Sequence, residues 1–558
     1  MPQHPLAEGD FRMIAIYPCW RGARPFGVWP IPVLIAMTCF ALAAATSLSE
    51  AHGREPVVSP DEARTKRPSP PARKPNIVII LADDLGYGDL SCYGATDVRT
   101  PNIDRLAVEG RRFTDAHSPA SVCTPTRYNL LTGRYAWRTW TASSCLWMSD
   151  PLLIEPGRLT VAGLLKGQGY RTACLGKWHL GFGAPDTPGW DDVLGPDLNG
   201  ELRPGPLEVG FDYFWGIPHV GQQPHVIIEN HRVVGLAPDD PIRMLPDKRP
   251  GFEKDYLHRP RLGIAEALGV RGGKSARYQH EQLASMLTRR AVQWLREQKQ
   301  EQPFFLYLAH RNIHGPIRPN ERFQGKSPLG PYGDFILELD GSVGQVLKTL
   351  DEEGFTDNTL VIFTSDNGGV VRYQPIDHAS IKGHFVNGPL RGQKCDAYEG
   401  GHRVPLIARW PGAVAPGTRD GSLVALTDVL ATLADFFSVQ LPADAGEDSF
   451  SFLGALRNRP PRQVTREAVV SDSFRGIFSI RRGDWKLIES QHGGGAGTQN
   501  IPNDPEKPAG QLYHLGRDLA ESNNQYERHP EIVESLSALL EETRRSGRSA
   551  PADRSRPL

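Results

Sequence analysis

The sequence predicts an α/β fold followed by a small α+β unit, and three observations support this prediction. Between residue 75 and about 419, short apolar runs alternate with stretches of helical periodicity, which is typical of a sheet with crossover helices. Polar residues capable of chemistry follow the apolar runs, where open α/β sheets place their sites. After a Pro/Gly/Asp-containing stretch at about 441–447, short strand-like runs precede a single helix.

The individual elements follow from composition and spacing. The first run, 76–81, is rich in Ile and Val and ends at a polar turn, so it predicts a buried strand. The helix predicted over 160–169 ends at glycine, as helices often do. The remaining predictions are strands at 171–175, 304–308 and 360–364 and helices at 102–110, 281–297, 334–350 and 428–437, then strands at 468–471, 476–482, 485–489 and 511–514 and a helix at 531–545.

Both ends of the chain are predicted to lie outside these units. Two arginines precede an apolar run at 28–45 that contains small residues suited to cleavage, which indicates an export signal within 1–50. The run is short and contains two prolines, so we expect no membrane span after cleavage and a periplasmic or secreted location. The predicted organisation is a signal region at 1–50, a disordered Pro-rich linker at 51–74, a catalytic domain at 75–440, a C-terminal subdomain at 441–545 and a disordered tail at 546–558.

Charge and cysteine usage narrow the function classes. The formal net charge is -1, which gives no reason to expect nucleic acid as a partner. Five cysteines follow the signal region, and neither a CxxC pair nor a zinc spacing occurs. An odd count in an exported protein suggests that one thiol is special, and the other four could form up to two disulfides.

Cys123 is the candidate for that thiol. It precedes a proline and an apolar helical run, which predicts a position at a helix N-terminus. Free amide groups and the helix dipole favour an anion there and lower the pKa of a thiol. A buried structural cysteine at a helix start is the commoner fate of a lone cysteine.

The residues around Cys123 decide between these readings. The motif C-x-P-x-R at 123–127, followed by L-T-G-R at 131–134, resembles the signature of the type I sulfatase family. The resemblance implies an alkaline phosphatase-like fold, with a large mixed β-sheet sandwiched by helices. It implies hydrolysis of sulfate monoesters, either aryl sulfates or sulfated carbohydrates, to an alcohol and inorganic sulfate. It also implies that a formylglycine-generating enzyme converts Cys123 to Cα-formylglycine, the nucleophile.

Two polar pairs predict a metal site. Asp83-Asp84 follows the first strand, and Asp366-Asn367 follows another. Alone, each pair is more often a turn or a helix cap. Together they supply oxygen ligands for one hard cation, Ca²⁺ with Mg²⁺ as an alternative, and they argue against zinc. The resemblance adds Cys123, in its modified form, to the ligands.

Other residues match the family motifs in order along the chain. The resemblance implies that Lys177 and Lys394 bind sulfate and that His179 acts as a base on the nucleophile. It implies that His314 approaches the leaving-group oxygen, while Arg127 binds the nucleophile and the metal-ligand carboxylates. The C-terminal segment from Gln511 also resembles the end of sulfatases, so the likeness spans about 75–545.

The sequence does not decide the roles of several neighbouring residues. His310 is expected to be structural or to line the substrate rim. Valine occupies the position aligned with a family serine that contacts sulfate, so either His219 substitutes for that serine or the contact is absent. Trp137, Trp140 and Trp147 could line a sugar or aryl pocket, although packing is the commoner role of tryptophan.

Two other functions compete with the sulfatase interpretation. One is a phosphate or phosphonate ester hydrolase of the same superfamily, which would use a similar metal set and basic cluster. The other is a non-catalytic glycan-binding relative in which Cys123 remains a thiol. Because fold alone does not determine function, the site residues carry the choice.

Overall fold

The structure is a computed structural model that describes residues 73–192, 194–221, 223–246, 253–259, 264–371, 383–461, 465–495 and 501–553. These residues belong to one unit of the chain, Arg67–Leu558. The predicted export signal, most of the predicted linker and residues 554–558 lie outside the described residues. Within the described part, no helix is both long enough and apolar enough to cross a bilayer.

The strands and helices alternate along the first three quarters of the chain. The strands are β1 Asn76–Ala82, β2 Arg111–Phe113, β3 Ala116–His117, β4 Arg171–Lys177, β5 Trp190–Asp191, β6 Gly195–Pro196, β7 Tyr213–Ile217, β8 Ile228–Glu229, β9 Arg232–Val233, β10 Arg243–Pro246, β11 Glu253–Arg259, β12 Ile264–Arg271, β13 Phe304–Ala309, β14 Thr359–Ser365, β15 Leu406–Arg409, β16 Thr418–Asp420, β17 Val424–Ala425, β18 Ala468–Asp472, β19 Phe478–Arg482, β20 Trp485–Ile488 and β21 Gln511–His514. The α-helices are α1 Pro101–Glu109, α2 Cys123–Thr132, α3 Val161–Gly167, α4 His280–Arg296, α5 Gly330–Glu352, α6 Glu399–His402, α7 Asp428–Phe436, α8 Leu453–Arg457 and α9 Pro530–Arg545.

Ten strands form the main sheet, in the order β16-β2-β15-β14-β1-β13-β4-β7-β8-β9. At its centre β14, β1, β13, β4 and β7 run parallel, whereas β15 is antiparallel to both of its neighbours. This mixed sheet confirms the predicted fold class. The four strands predicted at 76–81, 171–175, 304–308 and 360–364 are adjacent in it, so their carboxyl ends meet at one edge of the sheet.

Helices cover both faces of the sheet, and the two-residue period of β1 shows how. Ile77 and Ile79 belong to one apolar cluster, which includes residues of α2, α3 and α7. Val78 and Ile80 belong to another, which includes residues of α1, α4 and α5. Successive side chains of a strand point to opposite faces, so β1 is buried on both sides. Such strands read as continuous apolar runs, which is why they could be predicted.

The C-terminal part forms the predicted α+β unit. Strands β18, β19, β20 and β21 form an antiparallel sheet, and α9 packs on it. Buried ion pairs join this C-terminal part to the preceding part of the described chain and also stabilise it internally. Lys486 of β20 lies 3.0 Å from Glu399 and 2.9 Å from Glu521, and Arg466 pairs with Asp428.

The structure describes part of the predicted tail and all five cysteines that follow the signal region. Residues 546–553 were predicted as disordered tail, but Ser549 and Ala550 donate backbone hydrogen bonds to the carbonyl of Glu447, and Ala550 is buried. A few backbone bonds to a distant loop have no signature in composition. The five cysteines of the described residues, Cys92, Cys123, Cys145, Cys174 and Cys395, are all free, so none of the possible disulfides is present.

Candidate active site

The residues predicted to carry chemistry meet at the carboxyl edge of the main sheet. Asp83 and Asp84 follow β1, and Asp366 and Asn367 follow β14. The backbone N–H of Asp84 donates to Asp366 Oδ1 at 3.2 Å, and Asn367 Nδ2 donates to Asp84 Oδ1 at 2.9 Å. Asp84 has a φ of 60°, a left-handed conformation that aspartate tolerates better than most residues. The two pairs, 282 positions apart, therefore form one cluster.

Cys123 faces this cluster from the first position of α2. Its side chain is buried, and its Sγ lies 3.7 Å from Cys145 Sγ. The contact with the Cys145 thiol lowers the pKa of Cys123 well below its ordinary value; burial opposes this shift, and the charges of Lys177 and His179 add to it. The thiol therefore lies beside basic side chains at a helix N-terminus.

Two lysines reach the carboxylates that follow β1. Lys177, the last residue of β4, donates from Nζ to both oxygens of Asp83 at 3.0 and 2.8 Å. Lys394 Nζ donates to Asp84 Oδ1 at 2.6 Å. Burial opposes the charged form of Lys394, but the charge of Asp84 raises its pKa well above the ordinary value. The charged form of Lys394 is therefore favoured beside the cluster.

Arg127 joins the nucleophile helix to the same site. It lies four residues after Cys123 and is fully buried. Its Nη2 donates to Asp366 Oδ2 at 2.6 Å and lies 3.6 Å from Asp83 Oδ1, while Nη1 donates to the carbonyl of Lys177 at 2.9 Å. One side chain thus fixes the positions of α2, β4 and the loop after β14 relative to each other.

The donor set fits a hard divalent cation. Asp84 Oδ2 and Asn367 Oδ1 are buried and accept no hydrogen bond from any described residue. Ligand atoms of Asp83, Cys123 and Asp366 lie within 4.8 Å of one another, as do those of Asp83, Asp84 and His314. Burial and the charge of Asp83 raise the pKa of Asp366 well above its ordinary value, a sign of crowded negative charge. Free oxygens among clustered carboxylates are what Ca²⁺ or Mg²⁺ coordinates.

The two predicted histidines flank the nucleophile and the carboxylates. His179 Nε2 lies 3.1 Å from the carbonyl of Leu146, so Nε2 carries the proton and Nδ1 is the free base. Its ring lies within 4.8 Å of Cys123 Sγ. His314 Nδ1 lies 2.7 Å from the carbonyl of Gly315, and its Nε2 lies 3.8 Å from Asp84. Burial lowers the pKa of both histidines.

No sequence motif predicts the following contacts in this site. Cys145 lies against Cys123, and Leu146 holds His179 through its carbonyl oxygen. Thr124 Oγ1 donates to the carbonyl of His179 at 3.0 Å and accepts from the N–H of Leu146 at 3.1 Å. No motif connects segment 145–146 to the nucleophile, since only the folded loop brings it there.

The structure gives different surroundings to the residues whose roles the sequence does not decide. His310 is fully buried and accepts a hydrogen bond from the N–H of Asn312, which fits a structural role. Trp137 stacks on Tyr135 and packs edge-to-face on Phe478, so it belongs to the C-terminal core.

Trp140 and Trp147, the other two tryptophans of the group, differ from Trp137. Trp140 is 39% exposed. The Trp147 ring is half-buried and lies parallel to the ring of His219, which in turn packs edge-to-face on His179 with ring centroids 4.0 Å apart. Trp147 is therefore placed near the nucleophile through His219 and His179.

A family model described as Sulfatase matches residues 75–439. The chain belongs to the sulfatase family. It is 40% identical to an N-acetylgalactosamine-6-O-sulfatase of Bacteroides thetaiotaomicron over 491 residues, covering 84% of this chain and 93% of that protein. It is 33% identical to human arylsulfatase A over 492 residues, covering 84% of this chain and 87% of that one. The sulfatase is thus a sulfuric ester hydrolase, as predicted.

A solved structure of a sulfatase agrees with this assignment. It comes from work on a Bacteroides thetaiotaomicron locus for metabolism of multiple glycosaminoglycans. Its identity to this chain is 38% and the TM-score is 0.74, with 85% of this chain and 99% of that chain covered. The two chains therefore share a fold over most of their lengths.

Proposed function

We propose that this sulfatase cleaves sulfate esters of carbohydrates with a Cα-formylglycine formed from Cys123 and with Ca²⁺ as its cation. The observation that supports the proposal best is the position of Cys123, at a helix N-terminus and within 4.8 Å of ligand atoms of both Asp83 and Asp366. A nucleophile placed there lies beside both the cation ligands and the basic residues that hold a sulfate. Formylglycine-generating enzyme is the partner that the modification requires.

The charges of the site suit a sulfate monoester. Asp83, Asp84 and Asp366 carry three negative charges when ionised, and Lys177, Arg127 and Lys394 carry three positive charges. The side chains therefore balance each other, and a bound divalent cation gives the site an excess of two positive charges. A sulfate monoester carries one negative charge, so the loaded site attracts it. The lining favours an anion only after the cation has bound.

We assign the cation to Asp83, Asp84, Asp366 and Asn367, with the modified residue 123 completing the set. When bound, the cation stabilises negative charge on sulfate oxygens and increases the acidity of the nucleophile. The aldehyde hydrate supplies one hydroxyl for attack on sulfur and a second that allows sulfate to leave.

The remaining roles belong to basic side chains around the nucleophile. Lys177 and Lys394 hold the sulfate oxygens, and Arg127 orients Asp366. His179 takes a proton at Nδ1, because its Nε2–H is committed to the carbonyl of Leu146. Because Nδ1–H of His314 is committed to the carbonyl of Gly315, His314 gives a proton to the leaving oxygen from Nε2 in its doubly protonated form, which burial opposes and the charge of Asp84 favours.

The substrate proposal rests on the named relatives. A protein 40% identical over most of this chain is an N-acetylgalactosamine-6-O-sulfatase, and the similar solved structure comes from a glycosaminoglycan locus. Because human arylsulfatase A is 33% identical to this chain, aryl sulfates are a second candidate substrate class. We also propose a periplasmic or secreted location, which the predicted export signal supports.

Sulfate release tests this proposal. The purified protein, co-expressed with a formylglycine-generating enzyme, is incubated with N-acetylgalactosamine 6-sulfate, 4-nitrophenyl sulfate and 4-nitrophenyl phosphate. We expect inorganic sulfate from the sugar at a higher kcat/KM than from the aryl sulfate, and little phosphate. Cys123→Ala, made in parallel, is expected to lose multiple turnover. A preference for the phosphate ester, or full turnover by Cys123→Ala, would contradict the proposal.

A further inference from the structure

The segment that lies beside the nucleophile carries two side chains that are partly open to solvent. Cys145 and Trp147 are half-buried, whereas Cys123 is only 2% exposed. The backbone of this segment is fixed to the nucleophile helix, because Leu146 donates its N–H to Thr124 Oγ1. Cys145, which contacts the nucleophile, is thus partly open to solvent, and this is a side from which the alcohol part of a substrate can approach.

Trp147 differs from the tryptophans that serve packing. Trp137 has two aromatic partners and joins the C-terminal apolar cluster. The described ring contact of Trp147 is with His219: the two rings are nearly parallel, at 7°, with centroids 6.5 Å apart. That distance is near the upper limit for aromatic contact, so the pair shares little surface. Packing within the described residues thus leaves apolar area of the indole uncovered.

The backbone of Trp147 is fixed even though its ring is partly free. Its N–H donates to Asp150 Oδ2 at 2.7 Å, and the N–H of Asp150 donates back to the carbonyl of Trp147 at 3.0 Å. This reciprocal turn holds the position of the ring before a ligand arrives. A preorganised aromatic surface binds with a smaller loss of conformational entropy than a mobile one.

His219 supplies a polar group next to this surface. Its ring packs edge-to-face on His179, and its Nδ1 is buried with no hydrogen-bond partner in the described part of the chain. Burial and the charge of neighbouring His179 hold the pKa of His219 well below its ordinary value, so the ring is neutral. A neutral imidazole can exchange a hydrogen bond with a hydroxyl or an amide, and it adds no charge to the site.

We propose that Trp147 and His219 form the subsite for the leaving alcohol, in which Trp147 stacks on the apolar face of a sulfated pyranose and His219 hydrogen-bonds a substituent of that ring. The inference rests on the proposed carbohydrate substrate. Its position follows from the chain of contacts from Cys123 to His179, from His179 to His219 and from His219 to Trp147. This subsite recognises the sugar, whereas Lys177 and Lys394 bind the sulfate.

The test compares kcat/KM for N-acetylgalactosamine 6-sulfate and for 4-nitrophenyl sulfate in the cation-loaded, formylglycine-containing enzyme. His219→Ala is expected to lower the sugar-to-aryl ratio of kcat/KM by about 10- to 100-fold, because the aryl sulfate has no ring hydroxyl or amide to lose a partner. Trp147→Ala is expected to lower kcat/KM for the sugar by a similar factor, and Trp147→Phe to recover most of it. Trp140→Ala, at an exposed tryptophan of the same loop, is the matched control and should match wild type.

Two results would overturn the subsite. One is an unchanged sugar-to-aryl ratio in His219→Ala together with a sugar kcat/KM in Trp147→Ala within about threefold of wild type. The other is an equal loss of kcat on both substrates in Trp147→Phe and Trp147→Ala, which would indicate a structural role. Failure of the proposed function is distinct, because the wild-type enzyme would then release no sulfate from the sugar or would prefer the phosphate ester.

Discussion

Replacing Arg127 by alanine is expected to remove both stability and activity. The guanidinium is fully buried, bonds Asp366 at 2.6 Å and the Lys177 carbonyl at 2.9 Å, and lies 3.6 Å from Asp83. Removing one partner of a buried ion pair typically costs about 3–5 kcal/mol, since the remaining charge is left without compensation. Arg127→Ala should therefore lower the free energy of unfolding by about that amount in cation-free buffer.

The activity loss follows from the same contacts. Arg127 orients Asp366 and, by holding the end of β4, the base of Lys177. Misplacing groups that contact the reacting atoms commonly costs about 100-fold or more in rate. Arg127→Lys keeps the charge but loses the second N–H group, so an intermediate loss is expected.

Urea unfolding and sulfate release measure the two effects. Arg409→Ala is the matched control, because Arg409 is equally buried but pairs with Glu109, away from the site. The control should lose stability and keep kcat/KM. Stability within about 1 kcal/mol of wild type and rates within about tenfold in Arg127→Ala would refute the reasoning.

Three further predictions follow from other parts of the molecule. Chelation by EDTA is expected to abolish sulfate release and lower the thermal midpoint, and Ca²⁺ should restore both better than Mg²⁺; full turnover in protein shown by elemental analysis to hold no divalent cation would contradict this. Burial raises the pKa of Asp472 to about 7 from 3.8, so the folded protein binds this proton more tightly and loses stability as pH rises from about 4 to about 7. The free energy of unfolding of Asp472→Asn minus that of wild type, measured with urea, should therefore rise by on the order of 4 kcal/mol between pH 4 and pH 8. A difference that does not change with pH would refute this prediction. In protein made without the modifying enzyme, the sulfurs of Cys123 and Cys145 lie 3.7 Å apart, so oxidised glutathione should convert them to a disulfide. Cys174 is buried and should stay reduced. A peptide map without the 123–145 disulfide would count against this geometry.

Much of the fold could be predicted because its central strands are buried on both faces. Asn76–Ala82 and Phe304–Ala309 read as unbroken apolar runs, and polar residues mark where each one ends. The strand Arg111–Phe113 could not be found, since three residues with two arginines carry no periodic signal. Tyr213–Ile217 was missed for a similar reason, because its five residues include a glycine in the strand.

The site shows the same division between local and tertiary information. Cys123 and the metal-ligand pairs carry motifs and lie where parallel strands and a helix start must place them. Cys145 and Leu146 carry none, and they approach the nucleophile only through the loop that folds back from α2. Trp147 could not be distinguished from Trp137 by sequence, because packing partners from β19 and from the loop after β7 decide their roles.

Mass spectrometry of the peptide that contains Cys123 tests the central claim most directly. The protein is taken from cells that express a formylglycine-generating enzyme, digested, and compared with material from cells that lack it. We expect Cα-formylglycine or its hydrate at position 123 in the first sample, with sulfate release in proportion to its fraction, and an alkylatable thiol in the second. An unmodified thiol at position 123 in fully active protein would contradict the account.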